Sequence, residues 1–292
     1  MYFLGRVFLI IRSFAFNMNY PFNSEQIAAF QNQRFAALEV IHKKNVLYIT
    51  LNRPEVKNAI NSVMMSEIAY SMAYAHYTPE VWAVVLSANG DTFCSGMDLR
   101  SIGKTTHSDE STIPLVDETV VIASLFQNLH KPVITKVQGN VYAGGFLLVG
   151  SSTYVIATEK TTFTLPEVKR GIFPFQVLGV LLNLMPPKRA LELCLWGRAI
   201  SATEAYSLNI IDAIISIENL DNHTDTLLNS LLQNSPTAIR HGMQAMQAMR
   251  GVSYEEQQIW LKNQLSQLLQ TQDAKEGIQA FLQKRSPIWT GL

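Results

Sequence analysis

Short apolar runs alternate with longer helical patterns along the first half of the chain. The helical patterns cover residues 62–77 and 116–129. The apolar runs, which predict buried strands, cover residues 38–42, 46–51, 82–88, 132–137 and 154–157. Strands that alternate with helices are typical of a layered sheet whose neighbouring strands run parallel, so this pattern predicts an α/β fold.

The pattern becomes mostly helical from about residue 187. Capping residues mark three helix starts, in the pairs Ser201 and Glu204, Ser253 and Glu256, and Ser235 and Pro236. The last helix is predicted over residues 273–284. Its apolar side chains, Ile278, Phe281 and Leu282, need a surface to cover, either on the parent domain or on a neighbouring subunit.

The charge balance excludes a general attraction to polyanions, because 23 Lys and Arg residues equal 23 Asp and Glu residues. No apolar stretch is long enough to span a bilayer, since the best candidate is interrupted by Arg6 and Arg12. We therefore expect a soluble, cytoplasmic protein without nucleic-acid or membrane partners. Cys94 and Cys194 lie far apart without metal-ligand spacing, so we expect buried thiols and neither a disulfide nor a metal site.

The first 24 residues contain two arginines and no acidic residue. That composition is weakly typical of a transit peptide, but a start codon assigned upstream of the true one would produce it too. We favour a start at Met18 or a disordered extension over targeting, and expect an N-terminal extension over residues 1–24.

Two glycine-containing segments each follow a predicted strand, at residues 89–99 and 139–147. Glycine lets the backbone run close to another group. The second segment leads into an apolar helix, whose N-terminus presents free N–H groups that stabilise negative charge. Either segment alone could be a simple tight turn, but their order and spacing together are more informative.

Five ordered segments resemble the crotonases, or enoyl-CoA hydratase/isomerase superfamily. They are Asn-Arg-Pro-Glu-Val-Lys-Asn-Ala at 52–59, Phe-Cys-Ser-Gly-Met-Asp-Leu at 93–99, Lys-Pro-Val-Ile at 131–134 leading into 139–145, Leu-Pro-Glu at 165–167, and residues 197–205. The resemblance extends from about residue 38 to the C-terminus. It implies a crotonase-like core of repeated ββα units over residues 25–200 and a helical C-terminal trimerisation region over residues 201–292. It also implies a homotrimer or hexamer that binds an acyl-CoA or related phosphopantetheine thioester as substrate, without a separate cofactor.

The resemblance places the thioester oxygen between two backbone N–H groups, those of Met97 and Gly144. Moving a proton beside a thioester carbonyl puts negative charge on its oxygen, and each donor aimed there lowers the barrier by about 3 kcal/mol or more. The remaining ligand contacts implied are those of Lys57, Ala59, Asp98, Leu99, Arg100 and Leu147, with Lys284 contributed by a neighbour. The two lysines could equally be solvated surface charges.

The reaction depends on the acids around that oxygen. In the superfamily's hydratases two glutamates position a water, and their positions correspond here to Leu147 and Glu167. Leucine can neither accept a proton nor orient a water, so the expected base is Glu167 alone. One carboxylate suffices for the superfamily's Δ3,Δ2-enoyl-CoA isomerases. We expect Phe146, Leu147, Phe173 and Phe175 to bury Glu167 and raise its pKa.

Other interpretations stay open. A carrier-protein-bound enoyl dehydratase of polyketide β-branching also lacks the first glutamate and carries an Ala-Gly-Gly run like residues 143–145. A weak enoyl-CoA hydratase and a non-catalytic acyl-CoA-binding paralogue are the others, and the presence of Glu167 argues against the paralogue. Asp117 and Glu118 could add a second acid, although exposed acids on an amphipathic helix are commoner. Cys94 has no histidine in a matching motif, so we expect it to serve packing.

Overall fold

The strands form two sheets in the computed structural model, which describes residues 20–101, 104–117 and 119–292. The larger sheet contains, in spatial order, β1 (Leu38–Lys43), β2 (Val46–Leu51), β3 (Ala83–Ala88), β5 (Val133–Val137), β7 (Tyr154–Thr158) and β10 (Ala213–Ile215). The smaller sheet contains β4 (Thr92–Cys94), β6 (Asn140–Tyr142), β8 (Thr162–Thr164) and β9 (Ala199–Ser201). Only β1 with β2 and β8 with β9 pair antiparallel among these strands. The predicted α/β fold is therefore confirmed.

The helices of the described residues cover the sheets and fill the C-terminal third. They are α1 (Ser24–Ile27), α2 (Ser62–Tyr77), α3 (Ile122–Gln127), α4 (Gly145–Gly150), α5 (Phe175–Leu181), α6 (Pro187–Trp196), α7 (Ala202–Ser207), α8 (Leu220–Leu232), α9 (Pro236–Ala248), α10 (Tyr254–Leu268) and α11 (Gln272–Leu282). Ser201, Ser235 and Ser253 each cap a helix by accepting a hydrogen bond from the N–H three residues later, as predicted. Glu204 completes no capping box, because its carboxylate pairs with Arg198.

Both faces are covered at the central strands of the larger sheet, which explains why β3 and β5 are nearly continuous apolar runs, whereas the burial of the edge strand β1 alternates. Successive side chains of a strand point to opposite faces. Val84 and Leu86 of β3 therefore join the main core, whereas Ala83 and Val85 pack in a second cluster with α8.

A buried glutamate holds the start of β1. Glu67 on α2 is fully buried, and its carboxylate accepts hydrogen bonds from the backbone N–H groups of Ala36, Ala37 and Leu38 at 2.7–3.0 Å. Burial raises the pKa of Glu67, although these three donors lower it. The contact joins the first strand to the longest helix of the core.

The helix predicted over residues 116–129 is wrong in its first half, because α3 begins only at Ile122. The preceding residues include the β-branched Val120 and Val121, which disfavour helix. Asp117 also accepts a hydrogen bond from the N–H of Thr119 at 2.8 Å, a local turn that competes with a helical start. This segment therefore runs as a loop beside α2.

The predicted N-terminal extension lies mostly outside the described residues, which begin at Tyr20. Tyr20 and Phe22 are buried in the main core, and the Tyr20 hydroxyl donates to the carbonyl of Leu125 at 2.6 Å. Packed structure thus begins ahead of the predicted boundary at residue 25. No helix in the described part of the chain is long and apolar enough to cross a membrane.

Candidate active site

Three predicted site segments leave the same edge of the smaller sheet. Met97 follows β4, Gly144 follows β6 and Glu167 follows β8. These three strands are mutually parallel neighbours, so their carboxyl ends meet at one edge. The N–H of Ala143 donates to the carbonyl of Thr164 at 3.0 Å, which ties the second segment to the third.

Glycines let the first two segments touch. Gly96 has φ +87°, and a Cβ there would lie 2.6 Å from the Cβ of Ala143 and 2.8 Å from the amide nitrogen of Gly144. A Cβ at Gly144 would lie 3.5 Å from the amide nitrogen of Met97. Any side chain larger than hydrogen at Gly96 would therefore push the two loops apart. Because the loops touch, the amides of Met97 and Gly144 lie side by side.

The surrounding hydrogen bonds leave these two amides free. Ile60 donates to the carbonyl of Gly96 and accepts from the N–H of Asp98, both at 2.8 Å, in a parallel bridge that holds Met97 between them. The N–H groups of Met97 and Gly144 donate to no other group of the described residues. Two adjacent, fixed N–H groups can stabilise an oxyanion because they need no reorganisation when the charge develops.

Ion pairs stabilise the first of the two glycine-containing loops, residues 89–99. Asp98 is buried and lies 3.6 Å from Arg53 and 3.2 Å from Arg100. Burial raises the pKa of Asp98, but hydrogen bonds from Arg100 and the charges of both arginines bring it below its usual value. Its carboxylate is therefore occupied by the protein, whereas Leu99 is exposed and Arg100, although paired with Asp98, also remains exposed.

A second brace comes from Asn58, which the sequence analysis missed. Asn58 is fully buried, and its amide donates to the carbonyls of Asn89 and Thr92 at 2.9 Å while its oxygen accepts from the N–H of Arg53 at 2.8 Å. Its φ is 52°, a left-handed conformation that asparagine tolerates better than most residues. The asparagine itself is therefore the sequence signal that could have found this position. The neighbouring Lys57 is exposed, and Ala59 is buried.

Glu167 begins a 3-10 turn, Glu167–Arg170, directly after Pro166. Its carboxyl is half-buried, and one oxygen, Oε2, is buried without a hydrogen-bond partner among the described residues. Burial raises the pKa of Glu167, more than its own N–H and the charge of Arg170 lower it. An isolated carboxylate with a raised pKa is suited to taking and returning a proton.

The four side chains predicted to bury Glu167 differ in their own exposure. Phe146 and Leu147 are buried on α4, and Phe173 is half-buried. Phe175 is 76% exposed, so the prediction that it helps to bury Glu167 is wrong. It is the first residue of α5, whose buried side chains lie at other positions of the helix. Cys194 on α6 was not predicted to be near, yet burial and then the charge of Glu167 raise its pKa to about 11.

Cys94 lies under the first loop as a packing residue. It is fully buried, its sulfur accepts the N–H of Gly96 at 3.4 Å, and its thiol donates to the carbonyl of Asn58 at 3.3 Å. Burial raises the pKa of Cys94 to about 12, so a nucleophilic thiolate is disfavoured at neutral pH. The described residues also contain no cluster of three His, Cys, Asp or Glu side chains that could hold a metal ion.

A cleft of about 290 Å³ opens beside Met97, between the start of α2 and the loop before α3. Asp117 lines it, and Glu118 lies outside the described residues. Hydrogen bonds from Thr119 hold the pKa of Asp117 below its usual value. Asp117 therefore offers this cleft a negative charge rather than a proton.

Comparison with known proteins agrees with this architecture. A sequence model of the family described as enoyl-CoA hydratase/isomerase matches residues 42–292. The mitochondrial enoyl-CoA hydratase domain-containing protein 3 of Danio rerio is 30% identical over 244 residues, covering 83% of each chain. The carnitinyl-CoA dehydratase of Salmonella paratyphi A is 30% identical over 264 residues, covering 87% of this chain and 98% of the relative. The crystal structure of an enoyl-CoA hydratase/isomerase from Mycobacterium paratuberculosis superimposes with a TM-score of 0.75 at 30% identity, covering 88% of this chain and all of that one. The chain therefore belongs to the enoyl-CoA hydratase/isomerase family, within the crotonase superfamily that its sequence segments predicted.

Proposed function

We propose that this chain converts a 3-enoyl thioester of coenzyme A into the 2-enoyl thioester. The N–H groups of Met97 and Gly144 hold the thioester oxygen, and Glu167 moves the proton. One observation supports this most strongly: Leu147 is only 4% exposed and apolar where a hydratase would have its other carboxylate, while Glu167 keeps an unpartnered oxygen. The site thus offers one base and one oxyanion position.

The reaction needs no other group. The Glu167 carboxylate takes a proton from the carbon beside the thioester carbonyl, and the electron pair of that C–H bond moves toward the carbonyl oxygen. The resulting enolate is stabilised by the amides of Met97 and Gly144. The Glu167 carboxylic acid then returns the proton to the carbon two positions farther along, and the double bond comes to lie next to the carbonyl. Atoms and charge balance without water.

The surroundings of the site disfavour hydration. Adding water requires one group to orient and deprotonate it and an acid to protonate the neighbouring carbon. Leu147 supplies neither, and Cys94 is buried with a raised pKa. One carboxylate would have to perform both steps.

A second candidate is loss or addition of water by Glu167 alone. The name of the Salmonella relative, carnitinyl-CoA dehydratase, supports it. A dehydratase acting on a carrier-protein thioester belongs to the same candidate, because the phosphopantetheine arm is shared. A non-catalytic binding protein is less well supported, since an unpartnered carboxylate at the ligand edge stabilises neither fold nor interface.

Product analysis separates these reactions. Purified protein is incubated with a 3-enoyl-CoA and, separately, with a 2-enoyl-CoA, and products are identified by mass and ultraviolet absorbance. We expect the 3-enoyl-CoA to keep its mass while gaining the absorbance of the conjugated thioester. Rapid gain of water by the 2-enoyl-CoA, with the 3-enoyl-CoA left untouched, would contradict the isomerase assignment. The Glu167→Gln variant serves as the control for uncatalysed conversion.

We also propose that residues 201–292 assemble the chain into a homotrimer or hexamer, with Lys284 reaching a neighbour's ligand. The support is the apolar face of α11, whose Ile278, Phe281 and Leu282 are 52%, 82% and 74% exposed. Light scattering coupled to gel filtration measures the assembly. We expect Phe281→Glu to reduce the mass and Lys275→Glu, on the same helix, to leave it unchanged; a monomeric wild type would contradict the proposal. A cytoplasmic location stays a prediction.

A further inference from the structure

The cleft beside Met97 carries charges that the proposed reaction does not use. Its charged lining residues within the described part of the chain are Asp98, Lys104 and Asp117. Asp98 is paired with Arg53 and Arg100. Lys104 and Asp117 form no ion pair with any described residue, including each other. A cation and an anion therefore line one cleft without an ion-pair partner among the described residues.

The neutral polar side chains of the cleft each form a hydrogen bond with the protein. The Asn61 oxygen accepts from the N–H of Met64 at 2.9 Å, and the Ser101 hydroxyl donates to the carbonyl of Asp98 at 2.7 Å. Asp117 differs, because among the described residues only its neighbour Thr119 donates to its carboxylate. The charged groups of the cleft that lack an ion-pair partner among the described residues are thus Asp117 and Lys104.

Asp117 also lies where two clefts meet. A larger cleft of about 510 Å³, between residues 20–26 and 114–128, shares Val116, Asp117 and Val120 with the smaller one. An acyl chain that extends from a carbonyl held at Met97, along the apolar side chains of Val116 and Val120, would therefore run beside Asp117. This step rests on the thioester site proposed above.

We propose that Asp117 and Lys104 select acyl groups that carry a hydroxyl group beyond the reacting carbons. A hydroxyl group can donate a hydrogen bond to the Asp117 carboxylate and accept one from the Lys104 ammonium. A carboxylate on the acyl chain would be repelled by Asp117, and an ammonium by Lys104. A plain alkyl chain would displace water from both charges without replacing its hydrogen bonds, which is unfavourable.

The test compares matched 3-enoyl-CoA substrates of equal chain length, with and without a terminal hydroxyl group. We expect the wild-type kcat/KM to favour the hydroxylated member roughly tenfold, the size typical of one hydrogen bond to a charged group. Asp117→Leu should bring the ratio to about one or below. Asp109→Asn, an exposed acid outside both clefts, should leave it unchanged. A parallel titration with the saturated acyl-CoA pair measures the same preference without catalysis.

The outcomes separate this inference from the proposed function. Turnover of the plain substrate with no hydroxyl preference, or a preference that survives Asp117→Leu, overturns the inference alone. Tighter binding of the hydroxylated saturated thioester supports it even where neither enoyl substrate reacts, in which case only the isomerase assignment fails. Absence of binding by every thioester overturns both.

Discussion

Replacing Glu167 by glutamine tests the base with little change of shape. The variant keeps the side chain's size and its position at the start of the 3-10 turn, but it cannot accept a proton. General-base catalysis contributes roughly 10²–10⁴-fold. We therefore expect turnover of 3-enoyl-CoA to fall by about 10³-fold, with the affinity for the thioester nearly unchanged because the Met97 and Gly144 amides remain.

The same change should not weaken the fold. Oε2 of Glu167 is buried without a partner among the described residues, and an unpaired buried charge destabilises more than an unpaired neutral amide. We expect the free energy of unfolding at neutral pH to stay the same or to rise by about 1 kcal/mol. An active-site residue whose removal lowers activity without lowering stability is held there for chemistry.

The pH dependence follows from the raised pKa of Glu167. The base must be ionised, so kcat/KM should rise with pH through a pKa above the ordinary glutamate value of 4.5. In the folded state the protonated form is favoured, so this group's contribution to stability is present below 4.5 and lost as pH rises through the folded-state pKa. The stability gain of Glu167→Gln should therefore appear above that pKa and vanish in acid.

Steady-state kinetics and urea unfolding measure these quantities on one preparation. The matched control is Glu159→Gln, an exposed glutamate outside the candidate site, which should change neither activity nor the unfolding midpoint. A Glu167→Gln variant that retains activity within tenfold of wild type would refute the assignment of the base. So would a variant whose kcat/KM still falls at low pH as that of the wild type does.

Three further predictions concern neighbouring residues. Leu147→Glu should confer measurable addition of water to 2-enoyl-CoA, which is monitored as a loss of the absorbance of the conjugated thioester. If the variant gains no hydratase activity, more than this side chain separates the site from that of a hydratase. Glu67→Gln should lower the free energy of unfolding by about 1–3 kcal/mol in urea titrations, because a neutral amide cannot accept the same three backbone N–H groups, and an unchanged midpoint would contradict that account. Cys94 and Cys194 are buried, so both should react with a thiol reagent only after unfolding, and rapid labelling of the native protein would contradict their burial.

The central strands of the larger sheet could be predicted from sequence because both of their faces are buried. Their apolar runs are continuous, and the predicted bounds agree with β1, β2, β3, β5 and β7 to within one residue at each end. The loop before α3 could not be predicted in this way. There the local hydrogen bond between Asp117 and Thr119 and the β-branched residues after it outweigh the helical spacing of apolar positions.

The site was predictable as far as its contacts are local in sequence. Glycine spacing indicated that residues 89–99 and 139–147 approach something closely, and the structure has them contacting each other. The charge of Glu167 acts on Cys194, which lies on a helix later in the chain, so no local pattern reveals that the two are near each other. The exposure of Phe175 depends on how α5 is rotated against the core, which one aromatic residue at a helix start does not determine.

The central claim is that the N–H groups of Met97 and Gly144 donate hydrogen bonds to a thioester carbonyl oxygen. Infrared difference spectroscopy of a saturated acyl-CoA with a ¹³C-labelled carbonyl measures these hydrogen bonds directly. Two N–H donors polarise the C=O bond, so its stretching frequency should fall on binding, below its value in water. A bound thioester whose carbonyl frequency equals or exceeds the value in water would contradict the account.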